Sequence, residues 1–396
     1  MFQRALTPTL LKAASSFPVI FLTGPRQSGK TTLLKNTFPD YTYVSLERPD
    51  VLERLQADPI GFLQNHAQKW ILDEAQRFPP LFSYLQDRVD QDPQKGHFVL
   101  SGSQNFLLSH HINQTLAGRV SVLELLPLSY QEYRTHSDLK DLDIWSFLFY
   151  GGYPRPYQEN IDHHLWIGSY IRTYVERDVR DLLNIKDLSK FTTFLKLCAG
   201  RHGQLLNLSA LAVDAGISQT TANEWLSILE ASYILFRLKP YYKNFNKRMV
   251  KTPKLYFYDS GLLCYLLGIE TPQHLALHSQ RGAIFKGFVI TELLKYQFAK
   301  GHPFDFYFWR DHQGFEVDLL KEKGEEQVTF EIKSSKTFRP EYVQNLMKWS
   351  QISSNTRENS HLVYAGDQNL TFQNFPVWGW KSLAQCAQKA LEPSPQ

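Results

Sequence analysis

The sequence GPRQSGKTT at residues 24–32 places the tightest limit on what this chain can fold into. It fits the pattern G-x-x-x-x-G-K-[ST], follows the apolar run PVIFLT at 18–23 and leads into the helix-favouring TTLLKNTF. A strand, a glycine-rich loop and a helix start in this order hold polyphosphates, because backbone N–H groups and the helix dipole converge on the anion. The sequence therefore predicts a nucleoside triphosphate site, with ATP as the expected ligand.

Every residue of this loop is a candidate nucleotide ligand: Gly24, Pro25, Arg26, Gln27, Ser28, Gly29, Lys30, Thr31 and Thr32. Lys30 is expected to reach the β- and γ-phosphates and to act in catalysis. The Thr31 hydroxyl is expected to bind Mg²⁺, the second predicted cofactor.

A second polar element follows another apolar run, in KWILDEAQ at 69–76. Asp73 is expected to hold Mg²⁺, chiefly through water, and Glu74 to act as the general base that activates the attacking water. The alternative is a surface acidic pair at the end of a strand. After a phosphate-binding loop, the adjacent Asp-Glu favours hydrolysis over simple nucleotide binding.

Three further runs complete a predicted sheet: YVSLE at 43–47, HFVLSGSQN at 97–105 and VSVLELLPLS at 120–129. Five strands that alternate with helical segments predict an α/β fold with a parallel sheet.

The run HFVLSGSQN ends in small polar residues. In the P-loop class with an extra strand between the loop strand and the Asp-Glu strand, this end faces the γ-phosphate. Ser103 and Gln104 are then candidate sensors, and a simple turn is the alternative.

The strings GPRQSGKTTLL, ILDEAQ, VLSGSQNFLL and LAGRV resemble the AAA-type ATPases of bacteria and archaea that are fused to a C-terminal domain of unknown function. The resemblance implies an AAA-like ATPase core and makes Arg119 a candidate catalytic arginine finger or sensor. Because a finger acts across a subunit boundary, that role implies a homo-oligomer. A salt bridge at the rim of the sheet is the alternative role.

Length and composition limit the remaining choices. A chain of 396 residues predicts about two to four domains. The net charge of +4 does not make the whole molecule a nucleic-acid binder. The three cysteines form no CxxC pair, and no run approaches the roughly 18 apolar residues of a membrane span. We therefore expect a cytoplasmic protein without a membrane partner.

The turn Gly151-Gly152-Tyr153-Pro154 precedes a charged segment with helical periodicity. In that segment Arg177 and Arg180 are candidates to contact phosphate or a neighbouring subunit. The alternative is that they pair with acidic residues of their own helix. Further on, Ser209 is predicted to cap a short helix that stops at Gly216, and Ser218 a longer one. Two helices joined by a glycine turn predict a helix-turn-helix. The strand-like YILFRLKPYY and KLYFYD then predict a wing.

Between residues 231 and 258 the predicted wing carries seven cations and no acidic residue: Arg237, Lys239, Lys243, Lys247, Arg248, Lys251 and Lys254. Aromatic residues are interleaved with them, as in grooves that bind a nucleic-acid backbone and stack its bases. The second helix offers no Lys or Arg, so base readout is not expected. A solvated hairpin is the alternative.

The C-terminal stretch FEVDLLKEKGEEQVTFEIKSSK, 315–336, predicts two strands around a turn at Lys323-Gly324. Asp318 lies on the first strand, while Glu331 and Lys333 share a face of the second. This pattern resembles a restriction-endonuclease-like core, in which two carboxylates hold Mg²⁺ and the lysine positions water. An amphipathic hairpin with salt bridges is the alternative.

The resembled pattern has a glutamate on the helix before the hairpin, where this chain has Lys286. Glu292 is about 240° further round the helix and does not replace it. A cation in place of an anion weakens Mg²⁺ binding, so we expect a degenerate nuclease domain.

The predicted domains are an AAA-like ATPase at 1–135, a helical connector at 136–200, a winged helix-turn-helix at 201–258 and a restriction-endonuclease-like domain at 259–396. The predicted function is a Mg²⁺-dependent ATPase whose nucleotide state moves the C-terminal unit on nucleic acid. Two alternatives are open: an ATP-regulated DNA nuclease that uses Asp318, Glu331 and Lys333, and a regulatory ATPase whose C-terminal domain binds protein.

Overall fold

The computed structural model describes residues 2–64, 69–103, 116–136, 142–175, 187–242, 250–353 and 355–392. It divides into two compact units. The first comprises Met1–Leu128, Ala231–Tyr233 and Phe298–His302, and the second comprises Ser129–Glu230, Ile234–Gln297 and Pro303–Gln396. Within the described part of the chain, every helix is too short or too polar to cross a lipid bilayer.

The first unit is built on five parallel strands: β1 (Val19–Thr23), β2 (Thr42–Ser45), β3 (Trp70–Asp73), β4 (Phe98–Gly102) and β5 (Val120–Glu124). The described residues of the same unit form the helices α1 (Thr7–Ala14), α2 (Lys30–Thr37), α3 (Pro49–Ala57), α4 (Pro59–Gln64) and α5 (Leu81–Gln91). The strand order is β2-β3-β4-β1-β5. The predicted parallel α/β sheet is therefore confirmed, and β4 lies between the loop strand β1 and the Asp-Glu strand β3.

Alternate residues of β1 belong to two separate hydrophobic cores. Val19 and Phe21 pack with residues such as Trp70 and Leu85, whereas Ile20 and Leu22 pack with residues such as Leu34. Successive side chains of a strand point to opposite faces, so both faces of the sheet are covered, as is usual for parallel sheets. The polar ends of β1, β3 and β4 are left to form a site at one edge.

The second unit contains an eight-stranded mixed sheet: β6 (Leu235–Pro240), β7 (Lys254–Phe257), β8 (Phe306–Arg310), β9 (Glu316–Lys323), β10 (Glu326–Lys333), β11 (Ser360–Tyr364), β12 (Leu370–Phe372) and β13 (Phe375–Gly379). Its order is β12-β13-β11-β10-β9-β8-β6-β7. The predicted hairpin over 315–336 is present as the antiparallel pair β9 and β10.

The α-helices of the second unit are α6 (Tyr130–Arg134), α7 (Ile144–Tyr150), α8 (Pro154–Glu159), α9 (His163–Tyr170), α10 (Leu188–Gly200), α11 (Leu208–Asp214), α12 (Gln219–Ala231), α13 (Ser260–Leu266), α14 (Pro272–Leu277), α15 (Arg281–Ala299), α16 (Gln344–Ser353) and α17 (Leu383–Leu391). Single turns of 3₁₀-helix lie at Ala75–Arg77, Pro340–Val343 and Trp380–Ser382, and a π-helical segment covers Ile171–Val175.

Of the two helices at 208–231, α11 starts earlier than predicted, whereas α12 starts at its predicted cap. Asn207, not Ser209, caps α11: its side-chain oxygen accepts from Ala210 N at 3.0 Å, and the Ser209 hydroxyl itself donates to Asn207. Asn is at least as good an N-cap as Ser, and it comes first in the chain. Ser218 does cap α12, accepting from Thr221 N at 3.0 Å, and Gly216 takes the left-handed φ of +64°.

The two strands of the predicted wing form an antiparallel pair, β6 with β7. The other edge of β6 pairs with β8 in parallel, Lys239 opposite Tyr307 and Pro240 opposite Phe308. A free edge would leave its backbone donors and acceptors unpaired, and this pairing satisfies them. The hairpin is thus part of the large sheet, and the winged helix as a separate domain stays a prediction.

Candidate active site

The glycine-rich loop has a backbone that only its glycines permit at two points. Gly24 has φ +144°, and a Cβ there would lie 2.2 Å from the carbonyl oxygen of Leu125 on the neighbouring segment. Gly29 has φ +93° and is the N-cap of α2, which begins at Lys30. The loop therefore turns tightly and presents the helix start at the end of β1.

Lys30 is buried at the centre of this loop. Its ammonium donates to two neutral acceptors, the carbonyl oxygens of Gly24 at 2.9 Å and Pro25 at 2.8 Å. Burial lowers the pKa of Lys30 to about 8, although Glu74 and Asp73 act in the opposite direction. A buried cation held by carbonyl groups fits an anionic ligand, because phosphate oxygens would supply the missing negative charge.

Arg4, which the sequence reasoning did not single out, holds the loop in place. Its guanidinium donates to the carbonyl oxygens of Ser28 at 2.7 Å and of Leu126 at 2.6 Å, so it bridges the loop and the segment after β5. The Ser28 side chain is buried, and its hydroxyl has no hydrogen-bond partner among the described residues. No local spacing links Arg4 to residue 28 in the sequence.

The other predicted ligands in this part of the chain are Pro25, Arg26, Gln27 and Thr32. Gln27 takes a left-handed φ of +63°, while Thr32 is exposed on the first turn of α2. The Arg26 charge acts on the same site, since it contributes to lowering the pKa of Lys30. Pro25 contributes through its carbonyl oxygen.

Asp73 is the acceptor for three hydroxyl groups at the end of β3. Thr31 and Tyr43 donate to its Oδ2, each at 2.8 Å, and Ser101 donates to its Oδ1. The structure therefore brings together the two predicted Mg²⁺ ligands, Thr31 and Asp73. Tyr43 and Ser101 were not predicted. They come from β2 and β4, the strands on either side of β3, and only the strand order reveals them.

Glu74 follows in a left-handed backbone conformation, with φ 58° and ψ 46°. Burial raises the pKa of its carboxyl group above the usual value, and the nearby Lys30 opposes this effect. The side-chain amide of Gln76 donates to Glu74 and also to the Ser103 hydroxyl, at 3.3 Å. The predicted base and the predicted sensor Ser103 are thus joined through Gln76. Gln104 lies outside the described residues.

Arg119 lies beside Asp90 and makes a two-point ion pair, with Nε–Oδ1 at 2.5 Å and Nη2–Oδ2 at 3.0 Å. Both side chains are more than a third exposed. The structure therefore shows the salt-bridge role of Arg119, whereas its role as an arginine finger stays a prediction. Arg177 and Arg180 lie outside the described residues.

The predicted nuclease-like residues form a charged cluster on β9 and β10, together with Lys286 of α15. Lys286 donates to Asp318 and lies 3.6 Å from Glu316, and the second oxygen of Asp318 accepts from Ile332 N at 2.9 Å. Burial alone would raise the pKa of Asp318, but Lys286 and these hydrogen bonds hold it below its usual value. The lysine therefore neutralises the first predicted metal ligand.

Glu331 and Lys333 share a face of β10, as predicted, and their side chains pair at 2.7 Å. Asn345 also donates to Glu331, at 3.1 Å. Burial and the charge of Asp318 raise the pKa of Glu331 to about 7. Glu292 accepts from Tyr130 N at 2.8 Å and from Lys295 at 2.9 Å, so its carboxylate is occupied by other partners.

Lys254 is not a surface cation, contrary to the prediction for the wing. Its side chain is 5% exposed and pairs with Glu316. Lys254 opens β7, where every side chain is buried, and a buried ammonium requires an anionic partner. Arg237 is half-buried and pairs with Glu230 of α12.

Lys239 and Lys251 remain exposed, and with Arg237 and Tyr242 they line an open groove of about 570 Å³. Among the described residues that line it, Glu230 is the one acidic residue. Three of the predicted cations, Lys243, Lys247 and Arg248, lie outside the described residues.

Comparisons with known proteins match these features. Residues 16–134 match the model of a family described as AAA domain. Residues 141–273 and 281–383 match two models described as domains of unknown function, DUF8612 and DUF4143. The AAA match covers the five-stranded sheet with its phosphate-binding loop, so the first unit carries a P-loop ATPase domain of the AAA type.

The chain is 34% identical over 340 residues to the uncharacterized protein Rv2008c of Mycobacterium tuberculosis, which covers 85% of this chain and 74% of that one. The chain belongs to the family of that protein. The present chain is also 24% identical to an uncharacterized protein of Haemophilus influenzae. That alignment extends over 361 residues and covers 78% of this chain and 82% of the other protein.

Two solved structures are similar to parts of this family member. The Walker-type ATPase PABY2304 of Pyrococcus abyssi aligns with a TM-score of 0.46 and 15% identity, over 67% of this chain and 96% of that one. The RuvB Holliday junction branch migration motor of Thermotoga maritima aligns with a TM-score of 0.32 and 19% identity, over 59% and 88%.

Proposed function

We propose that this protein hydrolyses ATP in a Mg²⁺-dependent reaction at the end of β1, β3 and β4. One observation supports this most directly: the Thr31 hydroxyl meets Asp73 at 2.8 Å, beside the buried ammonium of Lys30 and next to Glu74 in the chain. A phosphate ligand, a pair of oxygen ligands for Mg²⁺ and a carboxylate base are the parts that phosphoryl transfer to water requires.

The oxygen atoms of Thr31 and Asp73 fit Mg²⁺, which prefers hydroxyl, carboxylate and water ligands. When bound, Mg²⁺ supplies positive charge against the β- and γ-phosphate oxygens. Lys30 would supply a second positive charge to the phosphates once it turns from the carbonyl groups of Gly24 and Pro25 to phosphate. The backbone of Gly24 and Gly29 shapes the loop that receives the phosphates.

Glu74 is the proposed general base. Its carboxylate accepts the proton of the attacking water, and its raised pKa increases its affinity for that proton at neutral pH. Lys30 lowers the pKa of Glu74 and so favours the ionised carboxylate, the form that can accept a proton. Ser103 at the end of β4 is the proposed contact to the γ-phosphate.

Two variants test this mechanism. Lys30→Ala is expected to lose Mg-ATP affinity in calorimetry, because the main cationic ligand is gone. Glu74→Gln is expected to bind Mg-ATP with an affinity like that of the wild type and to hydrolyse it about 10²–10⁴ times more slowly. Unaltered turnover in Glu74→Gln would remove this residue from the mechanism, and a wild type without turnover would refute the proposal.

We further propose that the client of the ATPase is nucleic acid, bound in the groove lined by Lys239, Lys251, Arg237 and Tyr242. The groove has three cations against the single carboxylate of Glu230, and Tyr242 is 61% exposed. Cations with an exposed aromatic ring suit a phosphate backbone and a stacked base. The ion pair with Glu230 holds the guanidinium of Arg237 in place through two nitrogens.

ATP turnover with and without single- and double-stranded DNA is the test of this partner. We expect DNA to stimulate turnover, and the double variant Lys239→Glu/Lys251→Glu to lose that stimulation while it keeps the basal rate. Lys196→Glu, a charge reversal at an exposed site on α10, is the matched control. If DNA binds weakly and the reversal changes nothing, the C-terminal domain has a protein client instead.

The nuclease alternative has less support, because Lys286 pairs with Asp318 and Lys333 pairs with Glu331. Within the described residues, His, Cys, Asp and Glu form no group of three or more that would hold a metal ion. Plasmid incubated with Mg²⁺ or Mn²⁺ is therefore expected to stay intact. Nicking that Lys333→Ala abolishes would establish the nuclease.

A further inference from the structure

Gln76 joins two groups of the proposed mechanism, the base Glu74 and the γ-phosphate contact Ser103. Its Nε2 donates to the Glu74 carboxylate and to the Ser103 hydroxyl, across 27 residues of sequence. The turn at Ala75–Arg77 presents Gln76, and Ala75 is fully buried beneath it. Gln76 is the shared donor that connects the end of β3 with the end of β4.

The chemistry of the partners determines how the amide is oriented. An ionised carboxylate only accepts hydrogen bonds, so the –NH₂ group of Gln76, not its carbonyl, must face Glu74. The carbonyl oxygen Oε1 is buried and has no hydrogen-bond partner among the described residues. A buried acceptor without a donor is unfavourable, so Oε1 is free to accept a hydrogen bond from a group that enters the site.

We infer that Gln76 is a positioning residue of the ATPase site, which holds the Glu74 carboxylate for proton transfer and couples it to Ser103 at the γ-phosphate subsite. This inference rests on the proposed function. The Ser103 hydroxyl can accept from Gln76 and donate to a phosphate oxygen at the same time, so Gln76 links the bound phosphate to Glu74. The base is then set in its working position only when a triphosphate occupies the site.

Gln76→Met tests the inference, because methionine has a similar length and no N–H donor. We expect Mg-ATP affinity to stay within about 2-fold of the wild type and kcat to fall about 10-fold, since only part of the 10²–10⁴-fold contribution of the base is lost. The readout is this split between kcat and affinity, because Gln76 contacts the proposed base and the Ser103 hydroxyl. A purely structural role would lower affinity and stability together with kcat.

Two further variants keep the test independent of folding. Gln76→Glu removes the donor and adds a like charge beside Glu74, so it should lower kcat further than Gln76→Met does. Ser103→Ala combined with Gln76→Met should lower kcat by less than the product of the single effects, because the two residues act as one unit. Gln91→Ala is the control. Gln91 lies at the end of α5, and its side-chain amide donates to the exposed Asp87.

The outcomes separate this inference from the function on which it rests. Gln76 has no positioning role if Gln76→Met and Gln76→Glu keep the wild-type kcat while the wild type hydrolyses ATP and Glu74→Gln does not. Additive effects of Ser103→Ala and Gln76→Met would overturn the coupling. A wild type without hydrolysis would instead refute the proposed function.

Discussion

The hydroxyl of Thr31 donates a hydrogen bond to Asp73 at 2.8 Å, although 42 residues separate them in the sequence. Thr31 is the second residue of α2, and Asp73 ends β3, two strands away from β1 in the sheet. The two predicted Mg²⁺ ligands thus contact each other directly. The sheet order, not a local turn, sets this distance.

Asp73→Asn should lower ATP turnover about 100-fold and move the Mg²⁺ dependence to higher concentration, because the amide keeps an acceptor for Thr31 but loses the charge that attracts the cation. Turnover measured across a MgCl₂ titration checks this. Thr37→Val is the matched control, since that hydroxyl donates to the Leu33 carbonyl within α2. An Asp73→Asn enzyme with the wild-type Mg²⁺ dependence would contradict the assignment.

ATP affinity should fall as the pH rises above about 8, because burial lowers the pKa of Lys30 to about 8 and the deprotonated amine no longer attracts phosphate. Below that pH Lys30 is charged, and affinity should be flat with respect to this group. Since bound phosphate raises the pKa of Lys30, binding at pH 8–9 should take up protons. Calorimetry in two buffers of different ionisation enthalpy measures this uptake.

Lys30→Arg is the control for the pH dependence, because a guanidinium stays charged throughout this range. Its ATP affinity is expected to be lower than that of the wild type and independent of pH between 7 and 9. A wild-type affinity that is equally constant to pH 10 would show that Lys30 keeps its proton in the free protein.

Lys286→Met should destabilise the second unit by about 3–5 kcal/mol, because it leaves the buried Asp318 carboxylate without its cation. Denaturant unfolding followed by tryptophan fluorescence measures the loss. The double variant Lys286→Met/Asp318→Asn should recover much of it, since the neutral amide still accepts from Ile332 N. Lys196→Met on the exposed face of α10 should change stability little. A Lys286→Met protein as stable as this control would contradict the stabilising role of the Lys286–Asp318 ion pair.

Arg119→Ala should change the stability little, because an ion pair as exposed as that with Asp90 contributes little. As an arginine finger, Arg119 would instead be needed for turnover, and its loss should lower kcat about 10³-fold. Mixing Arg119→Ala with Lys30→Ala subunits should then restore activity, since a mixed interface combines an intact loop with an intact finger. Unchanged turnover in Arg119→Ala leaves the salt bridge as its role.

Parts of the C-terminal unit show where local reasoning fails. Seven cations between 231 and 258 predicted one basic surface, yet Lys254 is buried against Glu316, a residue 62 positions away. Period-2 geometry placed Glu331 and Lys333 together correctly, because neighbours on one strand face are determined by the strand itself. The partner of Asp318 could be suspected from Lys286 in the sequence, but the ion pair depends on how α15 packs on β9.

The sequence by itself determined the parts whose chemistry is local: the phosphate-binding loop, the strand that ends in Asp73-Glu74 and the alternation that predicts a parallel sheet. Only the tertiary structure decided which distant groups complete the site. These hydrogen bonds all depend on strand order: that of Arg4 with Ser28, those of Tyr43 and Ser101 with Asp73, and those of Gln76 with Glu74 and Ser103. The physical reason is that hydrogen bonds act over about 3 Å, and the chain brings these residues within that range only by stacking strands side by side.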